Sequence, residues 1–346
     1  MRSVVILSAS VATPFRLVNA MTELRHGVFL DLSTVDRDDL DLTPLREALP
    51  EWDLHPRTDP DEIAARIASA EVVVTNKVVL DESLLAAAAN LQLVCAAATG
   101  TNNIDVAAAN RAGITVSNAR DYATDSVVQH VFALLLTLVT RLDDYRADIR
   151  AGHWSASDQF CLLDHPIRTL AGMRLGIIGH GVLGQATARV ARAFGMQVQV
   201  AASLRKAVPS PADDADRIPL PELLATSDVV SLHCPLSPET RHLIDDNALR
   251  QMPTGSILLN TARGGLVDPE ALARHLRAGH LGGAGIDVLE PEPPPADHPL
   301  LAADIPNLVL TPHTAWAARG ARQHVIEEVA ANIHSFAQGQ PRHVVS

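Results

Sequence analysis

A glycine-rich turn between an apolar run and a helical segment is the feature of this sequence that most constrains its fold. Gly179, Gly181 and Gly184 are spaced as G-x-G-x-x-G, directly after the β-rich run Arg174–Ile178. The first glycine permits a tight turn, the second lets backbone N–H groups approach a pyrophosphate, and the third allows the helix to pack closely on a sheet. A bare glycine motif is often only a turn, but strand, helix and a following strand are all present here. The pattern therefore predicts a dinucleotide-binding βαβ unit.

The predicted phosphate cradle lies where unpaired N–H groups at a helix start favour a negative charge. It comprises Gly179, His180, Gly181, Val182, Leu183 and Gly184. About twenty residues farther on, a site for NAD usually carries an acidic residue that binds the ribose 2′-hydroxyl. Ala202 occupies that place, and Ser203, Arg205 and Lys206 follow, which would suit the 2′-phosphate of NADP. This favours NADP(H); if the basic stretch is an ordinary solvated loop, the alternative is NAD.

Short β-rich runs alternate with helical segments along the whole chain. From Gly27 the order is GVFLDL, a helix near Leu45, a helix around Asp61–Ala70 and the strand EVVVTN. After a long helix at Val127–Val139, a second series of strands is predicted at Arg174–Ile178, Val198–Ala201, Val229–His233, Ser256–Asn260, Ala284–Val288 and Leu308–Thr311. A final helix is expected from Arg319 to Phe336. This alternation predicts an α/β fold with two doubly wound parallel-sheet domains.

Composition excludes several classes of function. The formal charge of -12 argues against binding of nucleic acid or an anionic membrane, because phosphate surfaces bind proteins rich in Lys and Arg. The apolar stretch Val127–Val139 contains Gln129 and His130 and is too short to span a bilayer. Cys95, Cys161 and Cys234 have neither disulfide-framework nor zinc-site spacing, so we expect no metal. A reducing cytoplasmic location fits best.

Residues 1–26 are expected to form an extension ahead of the first strand. Met1, Arg2 and the apolar run Val4–Ala12 loosely resemble a secretory signal peptide, which is the alternative interpretation. The polar stretch Thr13–Arg16 and the lack of a clear small-residue cleavage site favour the extension.

Polar side chains follow the predicted strands, where open α/β sheets bind their ligands. His233, Arg263, Asp287 and His313 come at or just after strand ends, and Glu292 lies in an adjoining Pro-rich loop. Reduction of a keto acid needs a cation that polarises the carbonyl and a proton donor for the developing alkoxide, roles that Arg263 and His313 can fill. Glu292 would orient the imidazole and favour its protonated form. Taken singly, each residue could equally be a surface arginine, a helix-capping histidine or an exposed loop charge.

Together these residues resemble the D-2-hydroxyacid dehydrogenase family. The motifs NTARGGLVD, DVLEPEP and TPHTAW carry the family's catalytic Arg, Glu and His, and ATGTNNID and HCPLSPETRHLI extend the similarity. The resemblance implies that Arg263 binds and polarises the substrate, that His313 is the acid/base and that Glu292 is its partner.

The resemblance also implies the outline of the two binding sites. Residues bordering the cofactor would include His233, Cys234, Pro235, Thr240, Thr261, Ala262 and Asp287. Residues contacting the substrate would include Lys77, Ala98, Thr99, Gly100, Arg263, His313 and Trp316. A solvated lysine at a strand end is an equally good interpretation of Lys77.

Members of this family have a Rossmann cofactor domain inserted into a flavodoxin-like substrate domain. By that similarity, residues 1–121 and 317–346 would form the substrate domain, and residues 122–316 the NAD(P)-binding domain. The segment GHWSASDQFCLLDHPIRTLAG is similar to the arm by which family members form homodimers. Its Trp154, Phe160, Leu162 and Leu163 could anchor a partner, although an intrachain wrap would also bury them.

The subgroup with the greatest similarity is that of bacterial glycerate dehydrogenases, also called hydroxypyruvate/glyoxylate reductases, through TNKVVLD, SDQFCLLDHPI and PHTAWA. The expected reaction is reduction of hydroxypyruvate or glyoxylate to D-glycerate or glycolate. The alternative is a co-regulator of the same fold that senses the cofactor and shows little turnover.

Overall fold

The computed structural model describes residues 23–203 and 217–345. The strands in this part of the chain are β1 His26–Phe29, β2 Glu51–Leu54, β3 Val72–Thr75, β4 Leu93–Ala96, β5 Thr115–Asn118, β6 Arg174–Ile178, β7 Gln197–Ala201, β8 Arg217–Ile218, β9 Val229–Leu232, β10 Ile257–Asn260, β11 Gly283–Ile286 and β12 Leu308–Leu310. The helices are α1 Thr43–Glu47, α2 Ile63–Ile67, α3 Glu82–Ala87, α4 Val106–Arg111, α5 Thr124–Thr140, α6 Leu142–Ala151, α7 Val182–Ala193, α8 Leu220–Thr226, α9 Asp246–Gln251, α10 Pro269–Arg277 and α11 Arg319–Ala337.

The chain divides into two compact units. The first comprises residues Met1–Tyr122 and Gln323–Ser346, and the second comprises Ala123–Arg322. The second dividing line falls inside α11, so this helix begins in one unit and continues in the other. One unit is therefore discontinuous in sequence, and the other is inserted into it.

The first unit is built on a parallel sheet with the strand order β2-β1-β3-β4-β5, the flavodoxin-like order. Strands β3 (VVVT) and β4 (LVCA) are buried along their whole length. Such uninterrupted apolar runs are typical of parallel strands covered on both faces. Helix α11 belongs largely to this unit, where Asn332 Nδ2 donates to the Asn118 carbonyl at the end of β5, 3.0 Å away.

The second unit is built on a parallel sheet with the order β12-β11-β10-β9-β6-β7-β8. Its strand order reverses between β6 and β9, which is the position where doubly wound sheets bind their ligands. The glycine turn follows β6 at this point. The predicted fold class, two parallel-sheet α/β domains, is confirmed.

Helix α5 packs unusually close to the sheet of the second unit. A Cβ at Gly285 in β11 would lie 2.8 Å from Leu134 Cβ, and one at Gly283 would lie 2.9 Å from Leu138 Cδ2. Most apolar side chains of α5 are buried, which explains why a largely apolar helix forms here. The small residues of β11 thus allow the second half of α5 to lie directly against the sheet.

In the described ranges, no individual helix combines the length and the apolar character of a membrane span. The bent pair of α5 and α6, with an angle of 57° between them, meets both criteria only when the two are counted together.

Candidate active site

The glycine turn after β6 has two glycines that the packing requires and one that it does not. Gly179 has φ +97°, and a Cβ there would lie 2.5 Å from the backbone of His233 and Cys234. A Cβ at Gly184 would lie 2.1 Å from the Gly179 carbonyl oxygen. A Cβ at Gly181 would meet nothing within 4 Å. Gly181 therefore faces open space where backbone could approach a ligand.

This space fits a dinucleotide phosphate. Gly181 is the N-cap residue of α7 and provides no side-chain cap, so the helix begins without the hydroxyl or carboxylate that usually binds its first N–H groups. A pyrophosphate could accept hydrogen bonds from these groups and interact favourably with the helix dipole. Val182, at the first helical position, is exposed on the same turn.

His233 lies beside this turn, at the end of β9. Its Nε2 is 2.9 Å from Ser231 Oγ, and burial lowers its pKa to about 4, so the ring is neutral at physiological pH. Its Nδ1 is buried and has no hydrogen-bond partner among the described residues. Buried polar atoms are normally paired, so this atom is consistent with a polar group supplied by a ligand.

The other residues predicted to border the cofactor lie at the ends of neighbouring strands. Cys234 is buried, which raises the pKa of its thiol to about 11. Thr240 Oγ1 donates to the Pro235 carbonyl at 2.8 Å and accepts from the Ser237 amide at 2.7 Å, which fixes the turn after β9. Thr261 and Ala262 directly follow β10.

The residues expected to determine the preference for NAD or NADP follow β7. The Ala202 amide donates to the Ile218 carbonyl in β8, 2.8 Å away, so Ala202 lies directly at the end of β7, where NAD-binding sites usually carry an acidic residue. Ser203 is exposed. Arg205 and Lys206 lie outside the described residues.

Arg263 projects from a tightly built turn after β10. Asn260 forms this turn with its side chain: Oδ1 accepts from the Ala262 amide at 3.0 Å, and Nδ2 donates to the Arg263 carbonyl at 2.9 Å. The next residue must be glycine, since a Cβ at Gly264 would lie 2.1 Å from the Leu289 carbonyl carbon. The Arg263 turn therefore packs directly against the loop that leads to Glu292. The guanidinium is half-buried, and its Nη1 donates to the Ala262 carbonyl.

Glu292 and His313 form a close pair. His313 Nδ1 is 2.6 Å from Glu292 Oε2, and both side chains are partly exposed. The other carboxylate oxygen, Oε1, accepts from the Leu289 amide at 2.9 Å. Because one oxygen is bound to the main chain, the carboxylate holds the imidazole in one orientation. Nε2 is left as the ring nitrogen that faces away from the carboxylate and can exchange a proton with a substrate.

The buried Asp287 organises the loop that carries His313. Its carboxylate accepts from the amides of Thr314 and Ala315 at 2.9 and 3.0 Å and from the Thr311 hydroxyl. Burial raises the pKa of Asp287, but hydrogen bonds from His130, Thr311 and these amides outweigh it and lower the pKa below the ordinary value. Asp287 is therefore an ionised anchor for the loop. Trp316 follows on the same loop and is half-buried.

Sequence reasoning missed two residues that contact this loop from α5. His130 Nε2 lies 2.8 Å from Thr311 Oγ1, and Ser126 Oγ donates to the Ala315 carbonyl at 2.6 Å. The only signal in the sequence was the presence of His130, a polar residue, within an apolar run.

The predicted substrate contacts Lys77 and Ala98–Gly100 belong to the first unit. The buried carboxylate of Asp31 accepts from the amides of Asn76, Lys77 and Val78 at 2.6 to 3.2 Å. Burial raises the pKa of Asp31 above its ordinary value, and these hydrogen bonds offset only part of the increase. The loop is thus fixed through its main chain, while the Lys77 side chain is exposed.

The loop Ala98–Gly100 follows β4 and is also held through its main chain. The Ala98 carbonyl accepts from the Ala119 amide at 3.0 Å, and the Thr99 carbonyl accepts from Asn118 Nδ2 at 2.6 Å. The carbonyl oxygens thus point toward the end of β5.

Comparison with known proteins places the chain in a family. Residues 132–315 match the family described as D-isomer specific 2-hydroxyacid dehydrogenase, NAD binding domain. The chain is 41% identical to a glycerate dehydrogenase of Methylorubrum extorquens over 90% of this chain and 97% of that protein. It is 36% identical to a hydroxypyruvate reductase of Blautia hydrogenotrophica over 92% of this chain and 99% of that protein.

Solved structures agree with these relatives. A D-lactate dehydrogenase from Aquifex aeolicus, complexed with NAD and lactic acid, superimposes with a TM-score of 0.76 at 30% identity, covering 91% of this chain and 96% of that chain. The glycine turn and the motifs around Arg263, Glu292 and His313 lie within residues 132–315, which match the family. The chain therefore belongs to the D-isomer specific 2-hydroxyacid dehydrogenase family.

Proposed function

We propose that this protein reduces a small 2-keto acid to the corresponding D-2-hydroxy acid, with hydroxypyruvate and glyoxylate as its substrates. The observation that carries the proposal is the 2.6 Å pair of His313 and Glu292 on a loop fixed by a buried aspartate. An imidazole oriented in this way is suited to general acid–base catalysis. The names of the two relatives, a glycerate dehydrogenase and a hydroxypyruvate reductase, support the choice of substrate.

The nicotinamide cofactor, when bound at the glycine turn, supplies the hydride. His313 donates a proton from Nε2 to the substrate oxygen as the alkoxide develops, and Glu292 stabilises the positive charge of the imidazolium before that transfer. Arg263 binds the substrate carboxylate and polarises the carbonyl through its planar guanidinium. By the family resemblance, backbone amides at Ala98–Gly100 and the Lys77 ammonium would be further ligands of the substrate carboxylate.

A substrate panel tests this proposal directly. Purified protein would be assayed with hydroxypyruvate, glyoxylate, pyruvate and larger 2-keto acids, with NADH and NADPH in parallel. We expect steady turnover with the first two substrates. Tight binding of NAD(P)H together with negligible turnover on every acid would instead favour the cofactor-sensing co-regulator of the same fold.

For the cofactor we propose a preference for NADP(H), because Ala202 provides neither an acceptor for a free 2′-hydroxyl nor a charge that repels a 2′-phosphate. Each charge-assisted contact from Arg205 or Lys206 would contribute on the order of 1.5 to 3 kcal/mol before screening by salt. The double change Arg205→Ala with Lys206→Ala should then raise KM for NADPH at least about tenfold, with little change for NADH. A parent enzyme that prefers NADH, or an equal loss of both cofactors, would contradict the proposed preference.

We propose that the arm after α6 forms a homodimer. Phe160 and Leu163 are 91% and 84% exposed, so the arm does not bury them within its own chain. Trp154 Nε1 donates to the Phe160 carbonyl at 3.0 Å and fixes the arm's shape. Two exposed side chains of this size are typical anchors for a partner subunit.

Charged residues at these two positions should convert the dimer to a monomer. Burial of a large apolar side chain contributes about 1.5 to 3 kcal/mol, and an aspartate could not be buried there without a partner. Sedimentation velocity of Phe160→Asp with Leu163→Asp would measure the change, with the exposed Gln159→Ala as the matched control. A monomeric parent protein would contradict the assignment.

The three cysteines are free thiols, and Cys95 and Cys234 are buried. This supports the proposed location in a reducing cytoplasm.

A further inference from the structure

Helix α5 contacts the His313 loop at two points that the proposed chemistry does not use. Ser126 and His130 are four residues apart, so both side chains project from one face of the helix. Ser126 Oγ donates to the Ala315 carbonyl at 2.6 Å, and His130 Nε2 lies 2.8 Å from Thr311 Oγ1. Thr311 precedes His313 and Ala315 follows it. The two contacts therefore hold the loop on either side of His313 in the sequence.

The hydrogen-bond donors determine the direction of the His130 contact. The Thr311 hydroxyl has one proton, which it donates to Asp287 Oδ1 at 2.5 Å. It can therefore only accept from His130, so the Nε2 of His130 carries a proton and donates it. The result is a network in which His130 Nε2 lies 2.8 Å from the Thr311 hydroxyl and 3.4 Å from Asp287 Oδ1, and the buried carboxylate in turn binds the amides of Thr314 and Ala315.

His313 needs such support because its backbone is strained. It has φ +54°, in the left-handed region that residues other than glycine rarely adopt. Its amide donates to the Asp287 carbonyl at 2.7 Å. A residue in this region keeps its conformation only when its surroundings hold it there. Loss of one of the flanking contacts would let the loop relax and would move the imidazole.

We propose that Ser126 and His130 are positioning residues: from one face of α5 they hold the His313 loop, and the rate of the chemical step depends on them. This inference rests on the proposed dehydrogenase function and adds to it two residues from a helix that carries no catalytic group. It predicts that kcat is affected while cofactor binding is not, because neither residue belongs to the glycine turn.

The test replaces His130 with leucine, which keeps apolar bulk and helix propensity but removes the donor. We expect kcat to fall about 10- to 100-fold, as for a misplacement of roughly 1 Å, with the Kd for NAD(P)H changed less than about twofold. His130→Gln places an amide donor near the position of Nε2 and should restore most of the rate. The exposed neighbour Gln129→Ala serves as the matched control and should behave as the parent.

A double-mutant cycle separates positioning from general loss of stability. Thr311→Val removes the hydroxyl that lies between His130 and Asp287, so the double variant with His130→Leu should lose clearly less rate than the two single losses combined. Additive losses would overturn the proposed positioning network. If His130→Leu does not fold, Ser126→Ala provides the second measurement, with an expected loss in kcat of about three- to tenfold and an unchanged Tm.

The possible failures can be told apart. If the parent enzyme reduces no 2-keto acid, the proposed function fails. If the parent is active and His313→Ala is not, yet His130→Leu and Ser126→Ala both retain kcat within about twofold, only the positioning role is overturned. A loss in His130→Leu that glutamine does not restore, and that follows the decrease in Tm, would also overturn it.

Discussion

Replacement of His313 by alanine should lower turnover by about 10²- to 10⁴-fold, the usual contribution of a general acid–base residue. The imidazole is held 2.6 Å from Glu292 and lies on the loop after β12, not on the glycine turn after β6. Binding of NAD(P)H should therefore change little. Single-turnover reduction of hydroxypyruvate and fluorescence titration of the cofactor would measure the two effects separately.

A matched control for this variant is His334→Ala, which removes an exposed histidine from α11. Glu292→Gln should show a smaller loss than His313→Ala, because the amide can still contact the ring but carries no charge that stabilises its protonated form. Unchanged reduction rates in His313→Ala would exclude it as the proton donor.

Replacement of Arg263 by lysine should also cause a large loss, about 10²-fold in kcat/KM, even though the positive charge is kept. A compact ammonium cannot replace the planar guanidinium that contacts carboxylate and carbonyl together. The turn itself should persist, because it is formed by the Asn260 side chain and by Gly264, not by the arginine side chain. The folded state of the variant should therefore be close to that of the parent.

Steady-state kinetics with hydroxypyruvate would measure this loss, and circular dichroism would confirm that the variant is folded. Arg277→Lys is the matched control, since Arg277 is an exposed arginine paired with Asp304 and should tolerate the change. Near-normal kinetics in Arg263→Lys would mean that Arg263 is only a surface residue of its turn.

The regular parts of the fold could be predicted because their signals are local. The glycine turn and β6 were placed at the residues where they occur, and α5 was expected within three residues of its bounds, since a buried strand and an apolar helix each show their own periodicity. Strands β2, β4, β5 and β8 were not predicted, although β4 (LVCA) is an apolar run like its neighbour β3; the reason is clearest for β2 and β8. Glu51–Leu54 alternates between exposed and half-buried residues, and β8 has only the residues Arg217 and Ile218. Such short edge strands are defined by their neighbours rather than by their own sequence.

The catalytic candidates could be predicted only in part. Arg263 and His313 follow strands, which is a pattern visible in a sequence. The contacts that hold them are not visible. His130 and Thr311 are 181 residues apart, and no local spacing connects them. The hydrogen bond from the Leu289 amide to Glu292 likewise depends on the path of a Pro-rich loop.

The buried carboxylates of Asp31 and Asp287 each hold a loop through its main chain, and this affects which mutations the loops can accept. Each carboxylate accepts hydrogen bonds from successive main-chain amides of one loop, Asn76 to Val78 in one unit and Thr314 to Ala315 in the other. Main-chain amides are present whatever the side chain is, with proline as the exception. Mutations at an exposed position such as Lys77, a proposed substrate contact, can therefore change the side chain there without reshaping the loop that carries it.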